Sequence, residues 1–357
     1  MTEARAVLGL NGTPTVETIE VGEPGPGEVL VDVRASGVCH TDHDMLGMPM
    51  PFVMGHEGAG VVAAIGEGVS NVAVGDRVVL NWAIPCGYCA NCVAGIRHLC
   101  LNGSPIAGGM KGHADFSRTT YNGNGVYRAF NLGTMSTATV VRAPACTKLH
   151  ADVSFAAAAI VGCGVMTGWG SAVNAARVAP GSAVVVLGCG GVGLNVIQGA
   201  RIAGATTIVA VDPKQTRRAM ALEFGATDAI EPEDLEHVKA RAPGGIGFDY
   251  AFECTAVPAL AVAPLALVRH GGMAVAVSGV EQEIPVDMRL FEFDKTYINP
   301  LYGQCQPERD FDRVFALHAA GQMKLDELVT RTYAIDDVAQ AFDDLLAGRN
   351  AKGVLVF

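Results

Sequence analysis

The sequence predicts an α/β protein in two parts: a β-rich, barrel-like domain and a nucleotide domain built on a parallel sheet. Three observations carry the prediction. Up to about residue 160 the chain is dense in glycine, proline and short β-branched runs, the texture of short strands joined by turns. Beyond about residue 165, apolar strands alternate with helical segments at the spacing of βαβ units. After residue 301 the chain returns to helix and short strand and ends in KGVLVF, a strand able to rejoin the first part. The nucleotide domain would then be an insertion.

In the first part, EVLVDVRASGV, GAGVVAAIGEGV and GDRVVL read as strands with turns between them. In the second, SAVVVLG (182–188) is a buried strand. GVGLNVIQGARIAG opens a helix whose apolar face includes Val192, Val196 and Ile197. TTIVAVD (206–212) is the next strand, and KQTRRAMALEFG is a helix closed by Gly225. GFDYAFEC and GGMAVAVSG supply two further strands, with helical PALAVAPLALV between them.

Bulk properties narrow the function. The 357 residues suffice for two domains with sizeable cores. Apolar residues make up 50% and charged residues 17%, a globular rather than a disordered balance. A formal charge of −11 argues against nucleic acid and anionic membrane surfaces as main partners. The first thirty residues carry charges throughout with no apolar signal core, so a cytoplasmic location is expected. Residues 153–176 and 182–211 are apolar enough to invite a membrane reading. However, the first is made of small side chains around Cys163, and the second is broken by Gln198, Arg201 and glycines. Both are expected to be buried elements, with no membrane span. The ten cysteines point to a reducing compartment and thiolate chemistry rather than disulfides.

Two motifs carry chemistry. VVVLGCGGVG holds G-x-G-x-x-G at Gly188, Gly190 and Gly193, with Gly191 inside it, directly after an apolar strand and opening a helix. A second strand ends in Asp212, nineteen residues after Gly193. The glycines permit a tight turn and close approach of a pyrophosphate to helix amides, and the acid accepts from ribose hydroxyls. Asp212 would repel a 2′-phosphate and favours NAD over NADP, with Arg217 as the residue that could offset it. The second motif is CGYCANCVAGIRHLC, where Cys86, Cys89, Cys92 and Cys100 supply four thiolates. Zinc held by four cysteines has a filled shell and stabilises a loop without acting as a Lewis acid. An iron–sulfur cluster is the rival occupant. A catalytic metal needs three protein ligands and an open place, for which GVCHTD (Cys39), GHEGAG (His56) and VGCGVMTG (Cys163) hold candidates.

Taken together, GVCHTD, GHEGAGVV, the four-cysteine lobe, GCGVMTG, LGCGGVG and the acid at 212 resemble the zinc-dependent alcohol dehydrogenases of the medium-chain dehydrogenase/reductase superfamily, over nearly the whole chain. The resemblance implies a GroES-like β-rich catalytic domain from 1–164 and 302–357, with a structural zinc lobe at 86–100 inside it. It also implies a doubly wound, parallel-sheet Rossmann domain at 165–301. By the same resemblance the catalytic zinc ligands are Cys39, His56 and Cys163, and the cofactors are NAD and two zinc ions per chain. Glu57 resembles the acid that can approach the metal, and Asp42 the acid that orients His56. Thr41 matches the hydroxyl that begins the proton relay. His40 and Lys352 stand where the family places basic groups near the pyrophosphate. Thr167 and Val192 match residues that hold the nicotinamide, and Arg217 a basic residue near the adenosine ribose. Trp82 and Leu132 match walls of the alcohol pocket.

The sequence also departs from the family pattern. Where many relatives carry a relay histidine, this chain has Asp44, with His43 one residue earlier. His43 is therefore a candidate relay member, an exposed loop histidine being the alternative. The length of segment 101–140 resembles the branch that includes enzymes for free alcohols and for thiol adducts of formaldehyde. The leading expectation is hydride transfer between a primary or aromatic alcohol, or its aldehyde, and NAD. The alternatives are a mycothiol- or glutathione-dependent formaldehyde dehydrogenase and a nicotinoprotein alcohol dehydrogenase with permanently bound NAD. A non-catalytic nucleotide-binding role is disfavoured by the intact ligand set. The partners implied are a small-molecule alcohol or aldehyde and further copies of the chain, as a homodimer or homotetramer, with KTYINPLYG near 295–303 resembling the joining strand.

Overall fold

The structure is a computed structural model and describes residues 1–103, 118–150, 152–232 and 235–357. The part of segment 101–140 between residues 104 and 117 therefore lies outside the described residues. The chain forms two compact units, Met1–Cys163 with Gln306–Phe357, and Gly164–Cys305. Gly164 and residues 302–305 thus fall in the second unit, a shift of a few residues from the boundaries expected from sequence.

The first unit is built on two sheets. One runs Asn124–Gly125, Thr119–Tyr121, Thr13–Val21, Thr2–Leu10, Phe52–Val53, Tyr127–Arg128. The other runs Cys146–Lys148, Arg77–Leu80, Gly58–Ile65, Glu28–Gly37, Lys352–Val356, Val329–Tyr333, with Ala138–Arg142 also on Glu28–Gly37. Several strands of the second sheet are buried along most of their length, among them Arg77–Leu80, Ala138–Arg142 and Lys352–Val356, as strands covered on both faces are. Leu8, Ile19, Val21, Leu30 and Val140 meet in one apolar cluster. The terminal KGVLVF does return: Val354, Leu355 and Val356 pair antiparallel with Gly37, Ser36 and Ala35.

The second unit is a six-stranded parallel sheet in the order Asp228–Ile230, Thr207–Val211, Ala183–Leu187, Phe248–Glu253, Val268–Ala276, Thr296–Ile298. This is the order of a doubly wound nucleotide fold, with the reversal between the third and fourth strands. Val185, Leu187, Val209, Phe248 and Leu267 form its core. Helix Gly191–Ile202 buries Val196 and Ile197, whereas Val192 on its first turn is only half-buried and lies off the apolar face assigned to it. Helix Gln215–Phe224 ends at Gly225, which takes the left-handed conformation at φ 115°. PALAVAPLALV is not one helix. It splits into a 3₁₀ turn, Pro258–Leu260, and a short helix, Ala263–Leu267, because Pro264 lacks an amide hydrogen and is accommodated only in a first turn.

One described helical run, Phe155–Ala175, is long and apolar enough to cross a membrane, and 78% of its most apolar window is buried in the protein.

Candidate active site

Cys39 precedes the short helix His40–Asp44, whose turn folds Asp42 back onto it. Asp42, fully buried, accepts the Cys39 amide at 3.2 Å through Oδ2 and His56 Nδ1 at 2.8 Å through Oδ1. One carboxylate thereby sets the positions of two side chains from different elements. With Nδ1 engaged, His56 Nε2 is the ring nitrogen left to bind, and it is buried without a hydrogen-bond partner. Cys163 arrives from a π-helical turn, Val161–Val165, a local widening common at functional sites. The ligand atoms of Cys39, His56, Glu57 and Cys163 all lie within 4.8 Å of one another. A metal ion fits this set: two thiols, a ring nitrogen with nothing else to bind, and an acid alongside.

The electrostatics are those of a site built for a cation. The Cys163 thiol beside it holds Cys39 well below the ordinary thiol range, and Cys39 in return pushes Cys163 well above it. Burial disfavours charge on His56, but the Asp42 carboxylate outweighs it and raises the ring's pKa. Burial pushes Glu57 up to about 7 against the pull of Lys352, whose Nζ donates to Glu57 Oε1 at 2.7 Å.

The four-cysteine lobe is a second, separate ligand group. Cys86, Cys89, Cys92 and Cys100 bring their sulfurs within 4.8 Å of one another, with Cys86–Cys92 and Cys89–Cys100 both at 4.0 Å. Tetrahedral zinc with bonds of about 2.3 Å spaces its sulfurs about 3.8 Å apart, so a single ion fits. A multi-iron cluster distributes its thiolates over several irons, which this tight group does not match. Amides of Cys86 and Gly103 donate to Cys100 Sγ at 3.2 and 3.1 Å, and that of Cys89 to Cys86 Sγ at 3.4 Å, as thiolates require.

In the second unit the glycine turn follows Ala183–Leu187 and opens the twelve-residue helix Gly191–Ile202. Gly188 has φ 88°, and a Cβ there would meet Thr255 Cγ2 at 2.8 Å and the Cys254 carbonyl at 2.9 Å. A Cβ on Gly193 would collide with the Gly188 carbonyl. At Gly190, by contrast, a Cβ meets nothing within 4 Å, which leaves the start of the helix open to a ligand. Asp212 is buried beside the turn, accepting the amides of Cys189 and Lys214, each at 2.9 Å. The residues fit an NAD pyrophosphate and ribose.

Comparison with known proteins identifies the family. Residues 25–151 match the family described as "Alcohol dehydrogenase GroES-like domain", and residues 191–318 that described as "Zinc-binding dehydrogenase". The chain is 36% identical to the NDMA-dependent alcohol dehydrogenase of Amycolatopsis methanolica, with 98% of each chain covered. It belongs to the zinc-dependent alcohol dehydrogenases of the medium-chain dehydrogenase/reductase superfamily. It is also 31% identical to the S-(hydroxymethyl)glutathione dehydrogenase of Paracoccus denitrificans over 99% of each chain. In fold it is similar to the benzyl alcohol dehydrogenase of Acinetobacter calcoaceticus, with a TM-score of 0.90 at 28% identity over the whole of both chains.

The remaining site residues of this alcohol dehydrogenase are distributed as follows. Thr41 Oγ1 lies 3.7 Å from Cys39 Sγ. His43 is half-exposed, its Nδ1 3.6 Å from Asp44. His40 is exposed on the same short helix. Lys352 is buried against Glu57 and the Val38 carbonyl in the first unit. Thr167 sits on helix Met166–Gly170, with its carbonyl accepting the Ser171 hydroxyl at 2.7 Å. Arg217 Nη1 is 3.8 Å from Asp212 Oδ2. Trp82 and Leu132 are both buried.

Sequence reasoning missed Phe130. Its ring stacks on His56 at 4.7 Å and meets Trp82 edge-on at 5.5 Å, forming one aromatic cluster with that histidine. It adopts φ 53°, ψ 27°, a left-handed conformation unusual for a bulky residue, which nothing in the string RAFNLG signals. The Lys352–Glu57 pair was missed as a pair, since 295 positions separate the partners.

Proposed function

We propose that this enzyme oxidises primary or aromatic alcohols with NAD and catalyses the reverse reduction of aldehydes. The observation that carries the reading is the buried Nε2 of His56, unpartnered within the Cys39–His56–Cys163 group. Zinc held by these three residues supplies the Lewis acidity that brings an alcohol's pKa toward neutrality, and NAD supplies the hydride acceptor. The chain's own groups do the rest. Asp42 fixes the tautomer and angle of His56. Thr41, close to Cys39, accepts the alcohol's hydroxyl proton while passing its own hydroxyl proton onward, and half-exposed His43 is where a proton leaves to solvent as the substrate carbon gives up its hydride. Phe130 and Trp82 offer the substrate an apolar aromatic face, which supports an aromatic alcohol. The engagement of Arg217 with Asp212 supports NAD over NADP.

The relative named for S-(hydroxymethyl)glutathione supports a second reading, in which the substrate is a thiol adduct of formaldehyde. The NDMA-dependent relative supports a cofactor that stays bound and is regenerated by a second substrate. The proposed assembly is a homo-oligomer joined along Thr296–Ile298, the last strand of the parallel sheet, near exposed Met288 and Phe293. None of the ten cysteines, all of them among the described residues, is paired in a disulfide, which supports a reducing, cytoplasmic setting.

One preparation tests these readings. NADH formation is measured across benzylic, aliphatic and formaldehyde substrates, with and without added thiols, after recording the protein's own absorbance and its mass by size-exclusion chromatography. Benzylic alcohols turning over without thiol, from cofactor-free dimers or tetramers, is the expected result. Activity on formaldehyde alone, and only with a thiol, would move the assignment to the second reading. A nicotinamide band in the purified protein would identify a resident cofactor.

A further inference from the structure

We infer that Glu253 is a positioning residue for the dinucleotide site, fixing the loops that back the glycine turn; this rests on the NAD reading above. The sheet order reverses between Ala183–Leu187 and Phe248–Glu253, and ligands of such sheets bind outside the carboxyl ends of the strands at that reversal. Glu253 is the last residue of the second of these strands, in register with Leu187, and is fully buried. Its Oε1 accepts the Thr255 amide and the Thr255 hydroxyl, both at 2.5 Å, and the Ala256 amide at 3.1 Å. Its Oε2 accepts the Ser278 hydroxyl in a short bond.

Those partners belong to the two loops that leave the carboxyl ends of adjacent strands. The loops are cross-tied further: the Ala256 amide also donates to Ser278 Oγ at 3.0 Å, and the Val257 amide to Thr255 Oγ1 at 3.0 Å. Glu253 also receives the Val277 amide on its carbonyl at 2.9 Å. Ala256 is held at φ 57°, a conformation that a non-glycine residue keeps only where its surroundings over-determine it. No lysine or arginine among the described residues pairs with the Glu253 carboxylate, so its environment consists of loop donors. Burying a carboxylate among hydrogen-bond donors alone is costly, and it fixes the direction of every donor around it.

The loop in turn abuts the nucleotide turn. The Cys254 amide donates to the Leu187 carbonyl at 2.8 Å, one residue before Gly188. Thr255 Cγ2 and the Cys254 carbonyl are the atoms that a Cβ on Gly188 would strike, and Cys254 Cβ lies 3.5 Å from where one on Gly193 would be. Glu253 therefore acts on the cofactor through Thr255 and the glycine turn, without touching it.

The test is the affinity of the zinc-loaded enzyme for NADH, read by nucleotide fluorescence, together with the two KM values. Glu253→Ala strands the Thr255 amide and removes the acceptor of the Thr255 and Ser278 hydroxyls, and the expected result is a Kd for NADH raised by about tenfold or more. KM for NAD should rise, with KM for the alcohol and the zinc content unchanged. Glu253→Gln keeps an oxygen toward the loop amides and should recover most of the affinity. Thr255→Val preserves shape and removes only the hydroxyl. It should weaken NADH binding several-fold and decides the matter if Glu253→Ala does not fold. Variants that bind NADH like the parent while melting at a lower temperature would overturn the proposal. Failure of the parent enzyme itself to bind NADH would instead overturn the NAD reading.

Discussion

Asp42 reaches the Cys39 amide with one oxygen and His56 Nδ1 with the other, so that two ligands from different elements depend on one side chain. Asp42→Asn keeps the volume and removes the charge that supports the ring. The expected outcome is a loss of about 10–100-fold in zinc retention or activity, measured by chelator-driven metal release and by kcat/KM. An unchanged rate of zinc release would contradict the role. At this scale the sequence was informative about residue type and silent about convergence. GVCHTD and GHEGAG each offer a plausible ligand, but nothing in the spacing brings Cys163 to them; a π-helical turn does that. Phe130 was illegible for the same reason, because its ring is turned onto His56 by a left-handed backbone that the local residues do not announce.

Among the elements, the apolar strands of the second unit were the most legible. Ala183–Leu187 and Thr207–Val211 are short β-branched runs buried on both faces, and such a run has few other places to go. PALAVAPLALV misled because apolar composition outweighed Pro264 in the reading, whereas in the fold the proline sets where the helix begins. The lobe helices Ala90–Val93 and Arg97–Leu99 are too short to persist alone, so the metal group and contacts such as Arg97–Glu308 at 3.0 Å must hold them.

Helix Val338–Leu346 is tied down by Asp344, which accepts from Tyr333 Oη at 2.6 Å, Arg349 Nε at 2.5 Å, Gln340 Nε2 at 2.8 Å and Arg331 Nη1 at 2.6 Å. The Tyr333 hydroxyl and then Arg349 hold its carboxyl at about 2. An unfolded aspartate titrates near about 3.9, so the network adds stability above about pH 4 and loses it as pH falls toward 2. Asp344→Asn should unfold at lower urea than the parent at neutral pH. That gap should close between about pH 4 and pH 2, as followed by urea midpoints across the range. A gap independent of pH would show that Asp344 acts through shape alone.

For the molecule as a whole, the two-part organisation followed from a change of texture near residue 165, and the return of KGVLVF from its strand-like composition. The pairing of that strand with Gly37, Ser36 and Ala35 required the structure, since register is set by neighbours distant in sequence. The central claim is that two ligand groups do two different jobs, one chemical and one architectural. Zinc per chain, measured alongside NADH formation for the parent, Cys39→Ala and Cys89→Ser enzymes, tests it most directly. The account predicts about two zinc ions in the parent and roughly one in each variant, with turnover abolished only in Cys39→Ala and thermal stability lowered mainly in Cys89→Ser. A Cys39→Ala enzyme that retains two zinc ions and still forms NADH would contradict it.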